Sequence, residues 1–384
     1  MTGKPRKQEQ EEATTDIAEV APGVLRTMLP VDLPGLGHVN CYIMEDERGV
    51  AVVDPGLPGP DSWNALVDRL NRAGYKIGDV HTAIITHSHF DHFGGAERLR
   101  EESGADILTH ESFAPLWDSE EAAETHDAED GASEEEILER IEETFRRPTP
   151  WGTRRTPPRR EQIQRFRRMG NFNARWFRTP TPTVTVVDSQ MIRLARREWV
   201  ALHTPGHTGD HLCLYDPAHG VVFSGDHVLP TITPHIAGRS DTRSDKRSDT
   251  QDSLAEFFDS LQRMNTLGST TVALPAHGHP FTDIGARADD ICMHHHERLD
   301  VLRQAGSRLG RATVEDYMRV LFSERAWGDM AASETFAHLV HLNVIGEAHR
   351  DITPDGLVTF ELEPAQPDQT DRANRANQAD REMS

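Results

Sequence analysis

The sequence predicts a mixed α+β chain built on two β-sheets, each covered by helices on its outer face. Two observations carry this. Short apolar runs come in two series, one before and one after the middle of the chain, and segments with helical spacing arrive between them. Most of these runs stop at Gly, Pro or Asp, the punctuation expected where strands end.

In the first series VLRTML, NCYIME and VAVVDPG read as strands, the last closing on a Pro-Gly turn. DSWNALVDRLNRAG spaces its apolar residues as a helix does and stops at glycine. HTAIITH is then a buried strand, GGAERLREESG a helix and ADILTH another strand. In the second series VTVVD, MIRLA, WVALHTPG, HLCLYD and GVVFSGD read as strands, SLAEFFDSLQRMNTL as a helix and TVALPAHG as the last strand.

A different segment separates the two series. Residues 118–143 hold thirteen acidic side chains against Arg140 alone, and residues 146–178 hold eleven arginines against Glu161 alone. Trp151, Phe166, Phe172, Trp176 and Phe177 are interleaved with those arginines. The simpler expectation for 118–178 is a solvated insertion whose two blocks partly pair; the functional one is a lid presenting arginines to an anionic substrate. GRSDTRSDKRSDTQD at 238–252 repeats a charged triplet and reads as a surface loop.

Bulk properties narrow the function. The 384 residues carry a net charge of −22, which argues against broad adhesion to nucleic acid or anionic membrane. A mean hydropathy of −0.60 leaves room for solvated segments beside the core. Residues 1–16 and 364–384 are expected to be disordered, with a principal domain over 17–305 and a smaller one over 306–363. No apolar run approaches the roughly 18 residues of a membrane span, and MTGKPRKQEQEEATTD lacks the apolar core of a secretory signal. Cys41, Cys213 and Cys292 are too scattered for a disulfide framework or a CxxC zinc site, which suits a cytoplasmic protein with reduced thiols.

The chemistry is concentrated in THSHFDHFGG, residues 86–95. A lone histidine is usually a surface or core residue, but here His87, His89, Asp91 and His92 leave the end of one strand together. His87 and His89 alternate and can point the same way; Asp91 and His92 follow a turn and can face a second ion. Gly94-Gly95 permits close backbone packing. Imidazole and carboxylate suit zinc or another divalent first-row metal. So local a cluster is too small for two ions, and later strand ends supply the rest: His207, with His203 and His211 as neighbours, then Asp226 and His277.

These residues resemble the metallo-β-lactamase superfamily. THSHFDH matches its HxHxDH signature, TPGHT its third histidine, SGD its bridging aspartate and PAHG its last histidine, over roughly Val20 to Arg303. The resemblance implies an αββα sandwich with the metals at one edge. It implies that His87, His89 and His207 bind one ion, that Asp91, His92 and His277 bind the other, and that Asp226 bridges them. Two divalent ions are then expected, zinc first, with iron or manganese as alternatives. Ions about 3.5–4 Å apart share a hydroxide that attacks a carbonyl or a phosphorus centre. Asp91 would accept a proton while remaining a ligand. No GxSxG elbow is present, and no serine nucleophile is needed.

His235, in a Pro-containing loop nine residues after Asp226, is a candidate for substrate contact or leaving-group protonation. His279 reads as a neighbour of the site or an exposed residue. His294, His295 and His296 lie in a helical pattern and cannot all face one ion. Past Ala305, ATVEDYMRVLFSE and SETFAHLVHLNVIGEAHRD read as helices and GLVTFELE as a strand, which resembles a winged-helix unit. A superfamily branch with this appendage includes lactamase-like endoribonucleases and many bacterial hydrolases. Here the second helix carries Glu334, Glu347, His338, His341 and His349, with Arg350 only at its end, so packing or covering the cleft is expected in place of DNA reading.

The expected function is hydrolysis of a thioester, lactone or other acyl bond in a small-molecule substrate, whose acidic tail the arginines would suit. One alternative is an endoribonuclease or phosphodiesterase acting on single-stranded RNA, with the aromatics stacking on bases. Another is a non-enzymatic, metal-stabilised regulatory protein.

Overall fold

The computed structural model describes residues 7–33, 35–114, 148–155, 161, 178–238, 251–267 and 270–363. Most of the charged insertion, the repeated-triplet loop and the C-terminal tail lie outside the described residues. Within them the chain divides into two compact units: Met1–Thr149, Arg154–Ala237 and Ser253–Met293 form the first, and Pro150–Thr153, Gly238–Asp252 and His294–Ser384 the second.

The first unit carries two sheets. One has seven described strands in chain order: β1 Ile17–Ala21, β2 Val24–Leu33, β3 Leu36–Asp46, β4 Gly49–Val53, β5 Val80–Ile84, β6 Asp106–His110 and β7 Val184–Val186. β1 to β4 form an antiparallel meander, and β4 to β7 are parallel. Parallel neighbours need crossovers, and helix α1 (Pro60–Arg72) supplies the first. The short α2 (Phe90–Phe93) and α3 (Ala96–Ser103) supply the second.

The other sheet joins β8 Met191–Leu194, β9 Arg197–His203, β10 Leu212–Asp216, β11 Val221–Gly225 and β12 Val272–Pro275, in the order β12-β11-β10-β9-β8. Helix α4 (Ser253–Met264) lies between β11 and β12 in sequence, and those two strands are parallel. α4 is tied to the end of β9, with Arg263 Nη1 donating to the His203 carbonyl at 2.6 Å and Ser260 Oγ to that of Pro205 at 2.8 Å.

Side chains alternate across β3 and β4 with the period of two that strands impose. Cys41, Ile43, Val50 and Val52 join Trp63, Leu66, Leu70, Phe93 and Leu99 in a core beneath the helices. Tyr42, Met44, Ala51 and Val53 join Trp199, Ala201, Leu214, Phe223 and Leu274 in a second core between the sheets. Both faces of the first sheet are therefore buried, which yields the mixed α+β sandwich expected from the sequence.

Residues 7–16, expected to be disordered, are ordered here. Glu9 is fully buried; its carboxylate accepts from the Thr231 and Ile232 backbone amides at 2.8 and 3.1 Å and from the Thr231 hydroxyl. Arg287 grips the same loop, donating to the carbonyls of Leu229 and Ile232 at 2.8 Å each. A polar composition marks solvation only where no buried donors await the polar groups. Glu9→Ala should cost roughly 2 kcal/mol, because the Thr231 and Ile232 amides and the Thr231 hydroxyl lose their shared acceptor. Urea unfolding of the variant checks this, and unchanged stability would mean that the segment merely rests on the surface.

In the second unit, helix α5 (Ile284–Leu309) continues from the first unit and is followed by β13 Ala312–Thr313, α6 Val314–Leu321, α7 Asp329–Val344, β14 Ala348–Ile352 and β15 Val358–Leu362. The strands pair in the order β13-β15-β14. The two units divide between Met293 and His294, inside α5. Two expectations change here. α7 stops at Val344, and Gly346 turns the chain through a left-handed conformation (φ 80°), so His349 and Arg350 lie on a strand. Trp151, read as part of a solvated, arginine-rich insertion, is 3% exposed, and its indole nitrogen donates to Glu315 at 3.0 Å. Among the described residues no helix is long and apolar enough to cross a membrane.

Candidate metal centre

Five strand ends place the donors at one edge of the sandwich. β4 ends beside Asp54, β5 leads to His87, and the loop after it carries His89 before α2 turns Asp91 and His92 inward. β9 leads through TPGH to His207, β11 ends at Gly225 just before Asp226, and β12 leads to His277. Gly94 and Gly95 let the THSHFDH loop pack on the chain after β4: a Cβ would sit 2.1 Å from Pro58 N at Gly94 and 2.5 Å from the Pro55 carbonyl at Gly95. Gly225 is required twice over, by its φ of 51° and because a Cβ would lie 2.6 Å from His211 Nε2.

All seven sequence-predicted donors converge. His89 Nδ1 lies 2.9 Å from His87 Nε2 and 3.1 Å from His207 Nε2. Asp226 Oδ2 is 3.9 Å from His87 Nε2, 3.6 Å from His207 Nε2 and 3.5 Å from His92 Nε2, while its Oδ1 is 3.5 Å from His277 Nε2. Asp91 Oδ2 completes the second group, 3.6 Å from His92 Nε2 and 3.5 Å from His277 Nε2. Asp226 thus faces both groups. His92 Nε2, His277 Nε2 and Asp226 Oδ1 are buried and make no hydrogen bond. Such orphaned atoms are costly unless something else binds them. The two His/Asp clusters are suited to a dinuclear metal site.

The electrostatics favour cation capture. Burial, helped by the other imidazoles, pushes His87 well below the ordinary histidine range and His89 to about 3. Both rings are neutral and offer lone pairs. Burial alone would raise the Asp91 carboxyl, but His92 and His277 outweigh it and hold it at about 2. Burial likewise opposes charge on His92, yet Asp91, Asp226 and Asp54 together lift it well above the usual value.

Outer contacts fix the ring orientations. His207 Nδ1 donates to the His235 carbonyl at 2.7 Å, and His277 Nδ1 to that of His38 at 2.6 Å. His92 Nδ1 lies 2.9 Å from Asp54 Oδ2, and Asp54 also accepts from the Thr86 amide and hydroxyl, each at 2.9 Å. Asp54 was not singled out from the sequence; its signal was the same as for Asp226, an aspartate just past an apolar run. His211 sits behind the donors, accepting from the Asp226 amide at 3.1 Å through Nε2, with Nδ1 2.7 Å from the Thr204 hydroxyl. His203 is elsewhere, stacked on His110 with ring centroids 3.9 Å apart. His279 is half-buried and paired with Glu11 at 2.8 Å. His235 is half-buried, and its carbonyl ties it to the donors through His207.

The family model for the metallo-beta-lactamase superfamily matches residues 34–277, well over half of the chain. The chain belongs to that superfamily. It is accordingly a metallo-β-lactamase-fold hydrolase. Its relatives include the atrochrysone carboxyl ACP thioesterase of Aspergillus novofumigatus, 22% identical over 90% of this chain and 84% of that protein. The acyl-coenzyme A thioesterase of Gallus gallus is 28% identical over 49% of this chain and 57% of its own length. Other curated relatives are covered over 27%, 43% and 52% of their length. Among solved structures, a metallo-beta-lactamase family protein of Thermus thermophilus superposes with a TM-score of 0.65 at 25% identity, covering 90% of this chain and all of that one.

Proposed function

We propose that this superfamily hydrolase is a dinuclear zinc thioesterase acting on a small acyl substrate with an acidic carrier. The observation that carries the reading is the thioesterase of Aspergillus novofumigatus, matched over nine-tenths of this chain, read together with the seven converged donors. A second relative named as an acyl-coenzyme A thioesterase supports the same bond type. The eleven arginines of 146–178 favour an anionic leaving group.

In this reading His87, His89 and His207 would hold one ion and Asp91, His92 and His277 the other, with Asp226 facing both groups. The mixed imidazole and carboxylate set suits zinc, with iron or manganese as substitutes. When bound, a pair of divalent ions lowers the pKa of water and polarises the scissile carbonyl. The chain's residues do the rest. Asp91 stays ionised and accepts a proton at its carboxylate. Asp226 sets the separation of the two groups, and His211 holds Asp226 by its backbone amide. His235, at the edge of the donors, contacts the leaving group and returns a proton to it. The unit from His294 onward is a winged-helix-like module that packs and does not read DNA: Phe336, Ala337, His338, Leu339 and Val340 of α7 are consecutive and all buried.

Zinc-reconstituted protein should turn over acyl thioesters faster than lactones, phosphodiesters or single-stranded RNA. Cleavage of RNA with no thioesterase activity would sink the reading. His235→Ala separates the roles of that residue, since the carbonyl that orients His207 survives the substitution. We expect kcat to fall by about 10²-fold with zinc content unchanged; unaltered kcat and KM would make the imidazole a bystander.

A further inference from the structure

Nitrogen and carboxylate donors also converge away from the metal centre, wholly inside the second unit. His295 lies on α5, while Glu334 and His338 lie one turn apart on α7, where i and i+4 share a face. One donor atom from each of the three lies within 4.8 Å of the others. His295 and His338 are fully buried and Glu334 is half-buried. Neither histidine is used by the hydrolytic machinery.

Three details match the metal centre. His295 Nδ1 and His338 Nε2 are 3.1 Å apart, the separation of His89 Nδ1 and His207 Nε2. Two nitrogens each about 2.0–2.1 Å from one zinc, at an angle near 100°, stand about that far apart. His338 Nδ1 donates to the Glu334 carbonyl at 2.7 Å, as His207 Nδ1 does to that of His235, so its Nε2 carries the lone pair facing His295. Burial lowers both rings, His338 to about 4 and His295 well below the ordinary range, so both are neutral.

We propose that His295, His338 and Glu334 form a third metal site, which takes a single zinc-like divalent ion with water at the fourth position and ties α5 to α7. Arg298 Nη1 lies 3.3 Å from Glu334 Oε1 and neutralises that carboxylate when no ion is bound. A carboxylate has about four lone-pair sites and can serve an ion and Arg298 together. The competing account is a simple hydrogen bond from one imidazole to the other.

Zinc counting on the full chain by mass spectrometry decides between them. Wild type should retain three equivalents after dialysis, and His338→Gln and His295→Gln two each, with thioesterase activity kept. A variant with His207→Ala and His277→Ala, which breaks both groups of the metal centre, should still bind one equivalent at this site, and added zinc should raise its melting temperature. If the histidine variants fail to fold, Glu334→Gln, which keeps the side-chain shape, should weaken binding in that double-variant background by at least tenfold. The proposal is overturned if His338→Gln keeps the wild-type count, or if zinc leaves the melting temperature of the double variant unchanged. Should the dinuclear reading itself be wrong, wild type would bind one ion and His338→Gln none, a result distinct from either.

Discussion

Asp226→Ala should reduce hydrolysis by about 10³-fold, equivalent to roughly 4 kcal/mol of transition-state stabilisation. The size follows from the place of this carboxylate. It is the one acidic donor facing both groups, with Oδ2 toward His87, His207 and His92 and Oδ1 toward His277, all within 3.5 to 3.9 Å. Alanine leaves His87, His89 and His207 without an anion among them. An ion there would lack the charge that balances it, and its spacing from the second ion would be undefined. Zinc at the metal centre should fall by at least one equivalent, while circular dichroism stays native because Asp226 belongs to neither apolar core. Asp226→Asn keeps the volume and loses the charge, so it should fall between alanine and wild type. Wild-type turnover in the alanine variant would show that the seven residues meet for some other reason.

How the seven donors could be read from sequence explains why others could not. Each lies just past an apolar run, and a strand that ends at the sheet edge must deliver its next few residues to that edge. The HxHxDH spacing did the rest locally. Asp54 met the first condition, in VAVVDPG, but its partners Thr86 and His92 lie 32 and 38 residues away. Only the parallel pairing of β4 with β5 brings them together, and that pairing leaves no mark in either segment. The N-terminal stretch failed for a related reason. Glu9 is captured by backbone amides 222 and 223 residues distant, and capture of one polar group by another has no periodicity to detect. Trp151 was hidden by its arginine-rich neighbours, because local composition says nothing about a single side chain buried elsewhere. The end of α7 was legible in principle. Gly346 is a helix stop signal, and reading the helical pattern through it moved His349 and Arg350 onto the wrong element.

Asp54 carries the other large expected effect, and it acts without touching either ion. Its Oδ2 holds His92 Nδ1, while its two oxygens bind the Thr86 amide and hydroxyl, so one buried carboxylate orients a donor and anchors the start of the THSHFDH loop. Outer partners of this kind typically contribute 10–100-fold to metal affinity. Asp54→Ala should therefore weaken zinc at the Asp91, His92 and His277 group by about 10–100-fold, measured by competition with a chelator. It should also lower stability by about 2–3 kcal/mol, because the Thr86 amide and hydroxyl lose their acceptors in a buried position. Asp54→Asn distinguishes the two roles. Asparagine keeps an acceptor for Thr86 and tolerates the left-handed backbone at this residue (φ 52°). It lacks the negative charge that favours a cation beyond His92. Stability should then recover most of the way while zinc affinity stays low. If the asparagine variant binds zinc as wild type does, the orientation of His92 does not depend on the Asp54 charge. Should alanine and asparagine destabilise the fold equally, the Thr86 anchor is not what Asp54 contributes.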